Sequence, residues 1–328
     1  MDRSKMNAEV SVIIPAWHEE GTIARTLDSL RQLSYPLKDC ELIVNASADD
    51  STYFIAKGKS MPEFGRYLVL RQNPGGKNSA LQQGIREARG ESLVLLDADT
   101  CVDKNWLSEM ISPLRTGHCC ANGNWFPLKK SWINNYSIIE KVWARELLRQ
   151  QSTNGRGGIA FKRELIDSIG LKILFDDKIH VGVDHNFGDH LVKRGYKVYF
   201  AEKARTMTPL NLTLRGFIHR ESRWLRGYVK IIDRTRLIKI IVFNSAILLS
   251  FLLPLFSYAL FIPISIYLVF LMVQCAYCSA KCSDFSYLAY FPIHLFLNII
   301  GRSITLFSAS SELLGLNEGP PVHFKGER

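Results

Sequence analysis

The stretch VSVIIPAWHEEGTIARTLDSL, Val10 to Leu30, decides the fold. Its opening, Val10 to Pro15, is apolar apart from Ser11, the pattern of a strand buried on both faces. Ile23, Leu27 and Leu30 then recur at helical spacing, which predicts a helix from about Gly21 to Leu33. The same alternation continues downstream. Glu41 to Val44 reads as strand, Ser51 to Lys57 as helix, Tyr67 to Leu70 as strand, Ser79 to Ala88 as helix and Ser92 to Leu96 as strand. Short apolar runs joined through helices predict an α/β domain with a mostly parallel sheet and right-handed crossovers. Such sheets bind ligands beyond the carboxyl ends of their strands, so the polar residues after each strand are the ones to search.

Asp97-Ala98-Asp99 is the strongest of these groups, because two carboxylates follow directly on the strand Ser92 to Leu96. Carboxylate oxygens are hard ligands, and a pair at this spacing suits Mg²⁺ or Mn²⁺ shared with a diphosphate. A solvated acidic turn is the alternative for the motif taken alone.

Composition bounds the rest of the chain. Its 328 residues are 47% hydrophobic and 22% charged, with 12 Pro and 22 Gly, which excludes disordered, collagen-like and disulfide-scaffold chains. From Ile241 to Ala280 no Asp, Glu, Lys or Arg occurs in 40 residues, the length of two bilayer crossings joined by a tight turn near Pro254 to Pro263. Spans of about Ile240 to Tyr258 and Leu260 to Ala280 follow. A third apolar segment, Tyr287 to Ser308, is interrupted by Pro292, His294, Asn298 and Arg302 and reads either as a third span or as an interfacial helix. Lys203 to Lys239 carries ten Lys or Arg against Glu221 and Asp233. A basic block just before membrane segments marks a cytosolic face with anionic headgroups nearby, and it displaces a nucleic-acid reading of the net charge of +10. Met1 to Glu9 is charged and lacks an apolar core, so the first 240 residues are expected to stay cytosolic. Seven cysteines suit that compartment, the trio Cys275, Cys278 and Cys282 reading as apolar packing near lipid.

Five segments in order resemble the family 2 glycosyltransferases, which have the nucleotide-sugar-binding GT-A fold. Val12 to Leu30 is similar to the family's opening strand and helix. Gly76-Lys-Asn-Ser-Ala-Leu-Gln-Gln-Gly84, with Ala88-Arg-Gly-Glu91, resembles the helix and strand that lead to its metal-binding Asp-x-Asp. Gly157-Gly158 with Ile159 to Leu165 looks like its acceptor-side glycine pair, Val183 to Val198 like its catalytic-base segment, and Arg220-Glu-Ser-Arg-Trp224 like the (Gln/Arg)-x-x-Arg-Trp motif of membrane-bound members. The resemblance covers roughly Ser11 to Arg226.

It implies a nucleotide-diphosphate sugar donor approached by Pro15, Ala16, Glu19, Glu20, Asn45, Lys77, Asp97, Asp99, Gly157 and Gly158, with a divalent Mg or Mn ion on Asp97 and Asp99. Asp184 is implied as catalytic base, with Arg220, Arg223 and Trp224 stabilising phosphate charge. Each has an ordinary alternative: Asp184 as a helix cap, Glu19 or Glu20 as a solvated first-turn charge, Lys77 as a surface lysine, and the arginines as headgroup contacts. Two positions depart from the family pattern. Asn45-Ala46 stands where an Asp usually reads the nucleobase, and Val183 replaces the acidic neighbour of the base.

The expected organisation is a cytosolic GT-A domain over 1–213, a basic amphipathic interfacial helix within 214–239, two or three transmembrane helices over 240–310, and a tail over 311–328. The expected activity is inverting transfer to a membrane lipid, a hydroxyl acceptor as in ceramide glucosyltransferases. A polyprenyl-phosphate transferase, similar to dolichyl-phosphate mannose synthase, is the enzymatic alternative, and an inactive membrane scaffold that keeps the fold is the non-enzymatic one.

Overall fold

The computed structural model describes residues 8–72, 76–147, 153, 155–179, 182–210, 213–252, 254 and 261–316. In chain order the elements are β1 (Val10–Ala16), α1 (Ile23–Leu30), β2 (Cys40–Ala46), α2 (Thr52–Gly58), β3 (Arg66–Arg71), α3 (Gly76–Glu87), β4 (Ser92–Leu95), β5 (Cys101–Val102), α4 (Trp106–Arg115), β6 (Cys120–Pro127), α5 (Trp132–Leu147), β7 (Ile159–Lys162), α6 (Glu164–Ile169), α7 (Leu171–Leu174), α8 (Val183–Lys193) and β8 (Val198–Thr208). Helices α9 (Leu214–Ile231), α10 (Arg234–Ser250), α11 (Phe261–Cys282), α12 (Ser286–Ala289) and α13 (Phe291–Leu313) complete it. The chain divides into two compact units, residues 1–128 with 149–209, and residues 129–148 with 210–328. Lys129 to Leu148, expected inside a continuous 1–213 domain, therefore groups with the C-terminal helices.

The first unit is built on an eight-stranded sheet, among the described residues, in the order β3-β2-β1-β4-β7-β6-β8-β5. Strands β1 to β4 pair in parallel, as do β6 and β8, whereas β7 and β5 join antiparallel. The expected parallel character thus holds over the N-terminal strands and gives way where β7 enters against β4. Seven consecutive buried residues in β2 explain why these strands read as unbroken apolar runs. One face of the sheet packs Val12 and Ile14 with Ile23, Leu27 and Trp106, against α1, α2 and α4. The other face packs Ile13 and Leu93 with Leu81, Phe187 and Leu191, against α3, α6 and α8. Burying roughly 1.5–3 kcal/mol per large apolar side chain, these two layers hold the strand ends in fixed register.

The second unit comprises α5 and α9 to α13. Helices α11 and α13 are each long and apolar enough to cross a membrane. Tyr267, Leu271, Gln274, Cys275 and Cys278 turn inward on α11, while Ile262, Ile266, Val269 and Val273 stay exposed at helical spacing. The polar interruptions of the third apolar segment have a structural reason. His294, Asn298 and Arg302 recur every fourth residue on one side of α13, where His294 lies 3.2 Å from Gln274 and Arg302 donates to Tyr267 (2.6 Å), Asn298 (2.9 Å) and Asn244 (3.2 Å). Polar groups so partnered are compatible with a helix that is apolar on its other side. Helix α10 begins at Arg234, earlier than the expected first span, and the remainder of that span to Tyr258 lies partly outside the described residues.

Candidate active site

Register places the site. Ile13 of β1 is level with Leu95 of β4, and Pro15 with Asn45 of β2, so the segments after all three strands emerge at one edge of the sheet. After β4 the chain turns over Asp97 to Thr100, closed by the Thr100 amide donating to the Asp97 carbonyl at 3.2 Å. Buried Thr26 of α1 donates to the Ala98 carbonyl at 2.8 Å, which pins the residue between the two aspartates. Their carboxylates stay half-buried while Ala98 is buried.

Lys77, on the first turn of α3, reaches this turn and donates to Asp97 Oδ1 at 2.5 Å. Burial pulls its ammonium down, but Asp97, Asp184 and Asp99 more than offset this and hold it above the ordinary lysine range. Three carboxylates from two separate segments, the turn after β4 and the start of α8, therefore converge on one ammonium. Pro15, Lys77, Asp97 and Asp184 line a single small cavity, floored by Leu81, Leu95, Ile159, Phe175 and Phe187. The excess of hard carboxylate oxygen over positive charge there fits a divalent cation, which Asp97 and Asp99 could hold.

Asp184 occupies the first turn of α8, with Gly182 at the N-cap in a left-handed conformation. The capping alternative for Asp184 is thereby removed. Phe187 and Leu191, three and seven residues on along the same side of the helix, are fully buried, and Phe187 stacks on Phe175 at 5.5 Å. Residues that motif reading did not single out set this position. Buried Thr153 donates its hydroxyl to the Asp184 carbonyl, Asn78 of α3 donates to the carbonyls of Asp176 (2.6 Å) and Ile179 (2.9 Å), and Gln82 donates to that of Phe175 (2.7 Å). The helix that carries Lys77 is thus tied to the segment that leads into Asp184. Asn78 and Gln82 stood in the quoted glycine-lysine segment, but nothing in their spacing announced these partners.

Other expected residues take different places. Asn45 is fully buried, and its amide donates to the Ala80 carbonyl (2.8 Å) and to Gln83 (3.0 Å). The donors expected to read a base are spent on α3. Gly157 and Gly158 serve packing: a Cβ on Gly157 would stand 2.0 Å from the Gly123 carbonyl, and Gly158, at φ +79°, would press one to 2.6 Å from Trp106. Trp106 donates to the Gly157 carbonyl at 3.0 Å and Asn122 to that of Gly158 at 2.7 Å. The pair fixes the start of β7 beside the end of β4.

Ala16 is buried at the end of β1, and Glu19 accepts from Thr22 at the entrance to α1. Exposed Glu20 belongs to a group with His18 and Asp50 whose ligand-type atoms lie within 4.8 Å of one another. His18 was not among the expected residues. Asp50 accepts from the Thr52 amide at 3.1 Å, at the entrance to α2. Burial raises its carboxyl, but Glu20, Thr52 and His18 hold it below the usual carboxylate range.

In the second unit Arg220 is turned inward. Its guanidinium pairs with Glu221 at 2.9 Å, donates to Ser137 at 3.2 Å and lies over Phe217, while Nη1 is buried and meets no hydrogen-bond partner among the described residues. Arg223 is exposed, and Trp224 stacks on Tyr228 at 5.2 Å with the rings 5° apart. Of the three, Arg220 departs from the expectation of a guanidinium open to phosphate.

A sheet whose strand ends present an Asp-x-Asp turn, a lysine and a helix-borne aspartate defines an α/β glycosyltransferase domain of the GT-A kind. The profile of glycosyl transferase family 2 matches residues 11–169 and that of glycosyl transferase family group 2 residues 92–300, and the chain belongs to family 2 of the glycosyltransferases. Among curated relatives, the glycosyltransferase AglE of Haloferax volcanii is 22% identical over 250 residues, covering 74% of this chain and 81% of that protein. The poly-beta-1,6-N-acetyl-D-glucosamine synthase of Staphylococcus epidermidis is 25% identical over 320 residues, covering 91% and 74%. Its counterpart in Staphylococcus aureus strain MSSA476 is 26% identical over 229 residues, 66% of this chain, and this chain spans about half (54%) of that relative. Among solved structures, the mannosyltransferase PcManGT of Pyrobaculum calidifontis, in complex with GDP-Man and Mn²⁺, superposes with a TM-score of 0.60 at 20% identity over 97% of this chain and 90% of that one, which shows a shared fold.

Proposed function

We propose that this family 2 glycosyltransferase moves a sugar, with inversion, from a nucleotide-diphosphate sugar to a hydroxyl-bearing membrane lipid at the cytosolic face. The convergence of Asp97, Asp99 and Asp184 on Lys77 at the ends of the strands carries this reading. Departure of a nucleoside diphosphate needs positive charge at the leaving oxygens. Lys77 supplies one such charge at the mouth of α3. A divalent cation bound by Asp97 and Asp99 would add Lewis-acid neutralisation of the diphosphate. Asp184, anchored by Thr153 through its backbone and stiffened by the Phe187 packing beneath, takes the proton of the attacking hydroxyl. Support for a donor of this class comes from PcManGT, which shares the fold and binds GDP-Man with Mn²⁺.

The apolar helices α11 and α13 support a lipid acceptor, and the basic run Lys203 to Lys239 supports the cytosolic face. In the basic motif Arg223 is exposed and Trp224 is stacked on Tyr228, whereas Arg220 is held by Glu221.

The test supplies a membrane fraction with labelled nucleotide sugars and identifies the labelled lipid, for wild type and Asp184→Asn. With a hydroxyl acceptor the substitution should cost about 10²- to 10⁴-fold in initial rate and leave the donor dissociation constant nearly unchanged. A variant within threefold of wild type on its own lipid would overturn the base assignment, because a polyprenyl phosphate is already ionised and needs no base.

A further inference from the structure

A second cavity lies within the C-terminal unit, between α9 and α13. It measures about 840 Å³ and has two kinds of wall. Leu214, Ile218, Ile304 and Phe307 are apolar, Phe307 being 74% exposed. Arg215, His219 and Arg226 stand along the α9 side at intervals of four and seven residues, which places them on one strip of the helix. The strip is about 16 Å long, at 1.5 Å per residue. Among the described residues neither Arg215 nor Arg226 meets a carboxylate. The sole acidic residue of α9, Glu221, is committed to Arg220.

Two hydrophobic contacts hold the groove open as a fixed feature. Phe217 packs with Leu297 and Ile133 near the start of α9, and Val229 packs with Ala309 and Leu237 near its end. Between these contacts, apolar side chains of the two helices stay uncovered beside guanidinium groups that meet no carboxylate among the described residues. A soluble partner protein would have to match both, and an aqueous anion would leave Phe307 and Ile218 wet. One molecule of the surroundings satisfies both at once: a phosphate-bearing headgroup on a hydrocarbon chain, lying along the strip. The volume falls in the range of small-molecule sites, about 300–1,000 Å³. Helix α13, which forms one wall, is long and apolar enough to cross a membrane, so such a molecule is at hand.

We infer that the α9–α13 groove binds an anionic glycerophospholipid of the surrounding bilayer, its phosphate on Arg215 or Arg226 and its acyl chain over Ile304 and Phe307. This rests on membrane attachment alone and is independent of which lipid accepts the sugar.

The experiment reconstitutes the full chain in vesicles of equimolar phosphatidylglycerol and phosphatidylcholine and quantifies the lipid that remains bound after extraction into mild detergent. Wild type should retain phosphatidylglycerol in preference to phosphatidylcholine. Arg215→Gln with Arg226→Gln should weaken that retention roughly 10- to 30-fold, as expected for two basic residues at a membrane surface. Lys230→Gln with Arg234→Gln removes the same charge outside the groove and should leave it nearly intact. Phe307→Ser, which changes no charge, should weaken it as well. Equal loss in both double variants would reduce the effect to general polybasic attraction and overturn the site. Displacement of the bound phosphatidylglycerol by stoichiometric polyprenyl phosphate would overturn the phospholipid assignment and make the groove an acceptor site. Sugar-transfer assays with Asp184→Asn fail or succeed separately from either outcome.

Discussion

Asp97 and Lys77 hold each other at 2.5 Å, with Asp99 and Asp184 adding to the field on the same ammonium. That arrangement makes Lys77 a competitor for any cation approaching Asp97. In the free enzyme its ammonium neutralises one carboxylate, and a nucleotide diphosphate would draw it away toward phosphate oxygen. Lys77→Met removes the competitor at similar length. The expected result is two-sided: Mn²⁺ affinity without nucleotide rises about tenfold, from the loss of a like charge a few ångströms away, while sugar transfer falls. Titration of free Mn²⁺ by electron paramagnetic resonance reads the first and an activity assay the second. Unchanged metal affinity would mean that the ion does not use Asp97. Asn45 argues the complementary case, since its burial against Ala80 and Gln83 makes it a tie between β2 and α3. An uncharged amide suits that buried tie, where an aspartate would have to bury its charge.

At the level of elements, β1, β2 and β3 are joined to the end of α3 through one buried acid. Glu41 is 1% exposed and accepts from Ser11 at 2.5 Å, from Arg66 at 2.7 Å and from the amide of Arg89. Burial alone would raise its carboxyl, but the Arg89 amide, Ser11 and Arg66 outweigh it and hold the group below the ordinary glutamate value. A depressed folded-state pKa contributes stability that is present above the unfolded value of about 4.3 and is lost as pH falls through the folded one. Glu41→Gln should therefore cost about 2 kcal/mol at neutral pH and flatten the acid limb of a melting-temperature profile. An unaltered acid limb would assign that limb to other carboxylates. The strand and helix succession was legible because buried parallel strands and amphipathic helices carry different periods, as in Val10 to Leu30. The Asp-x-Asp turn was legible because it directly follows the strand Ser92 to Leu96, and the start of α8 through the resemblance of Val183 to Val198 to the family's base segment. What could not be read were contacts between elements far apart in sequence: Thr153 on Asp184, Asn78 on Asp176, and Arg220 on Ser137. Such partners depend on three-dimensional closure, and no spacing along the chain encodes them.

For the molecule as a whole, the decisive asymmetry is the one inside the C-terminal unit. Polar groups of its helices α10, α11 and α13 face inward, with Arg302, Asn298, Tyr267 and Asn244 in one network and His294 beside Gln274. Its large apolar side chains face outward, Val242 at 61%, Ile262 and Ile266 at 65%, and Val269 at 59% exposed. Water would make this surface costly, at roughly 25 cal/mol for each Å² of apolar area, whereas hydrocarbon removes the penalty. An inward polar network explains how α13 can carry His294, Asn298 and Arg302 and still present lipid with an apolar side. The chain should accordingly stay in the membrane pellet after an alkaline carbonate wash that strips peripheral proteins. Val269→Asp, near the middle of the exposed side of α11, should reduce that retention, because a charge at the centre of a membrane helix costs about 2.5–3.5 kcal/mol to insert. Arg215→Gln with Arg226→Gln should not change it, since those residues meet headgroups and carry no part of the hydrophobic anchorage. Release of the wild-type chain by carbonate would mean that α11 and α13 lie on the membrane surface without entering its core.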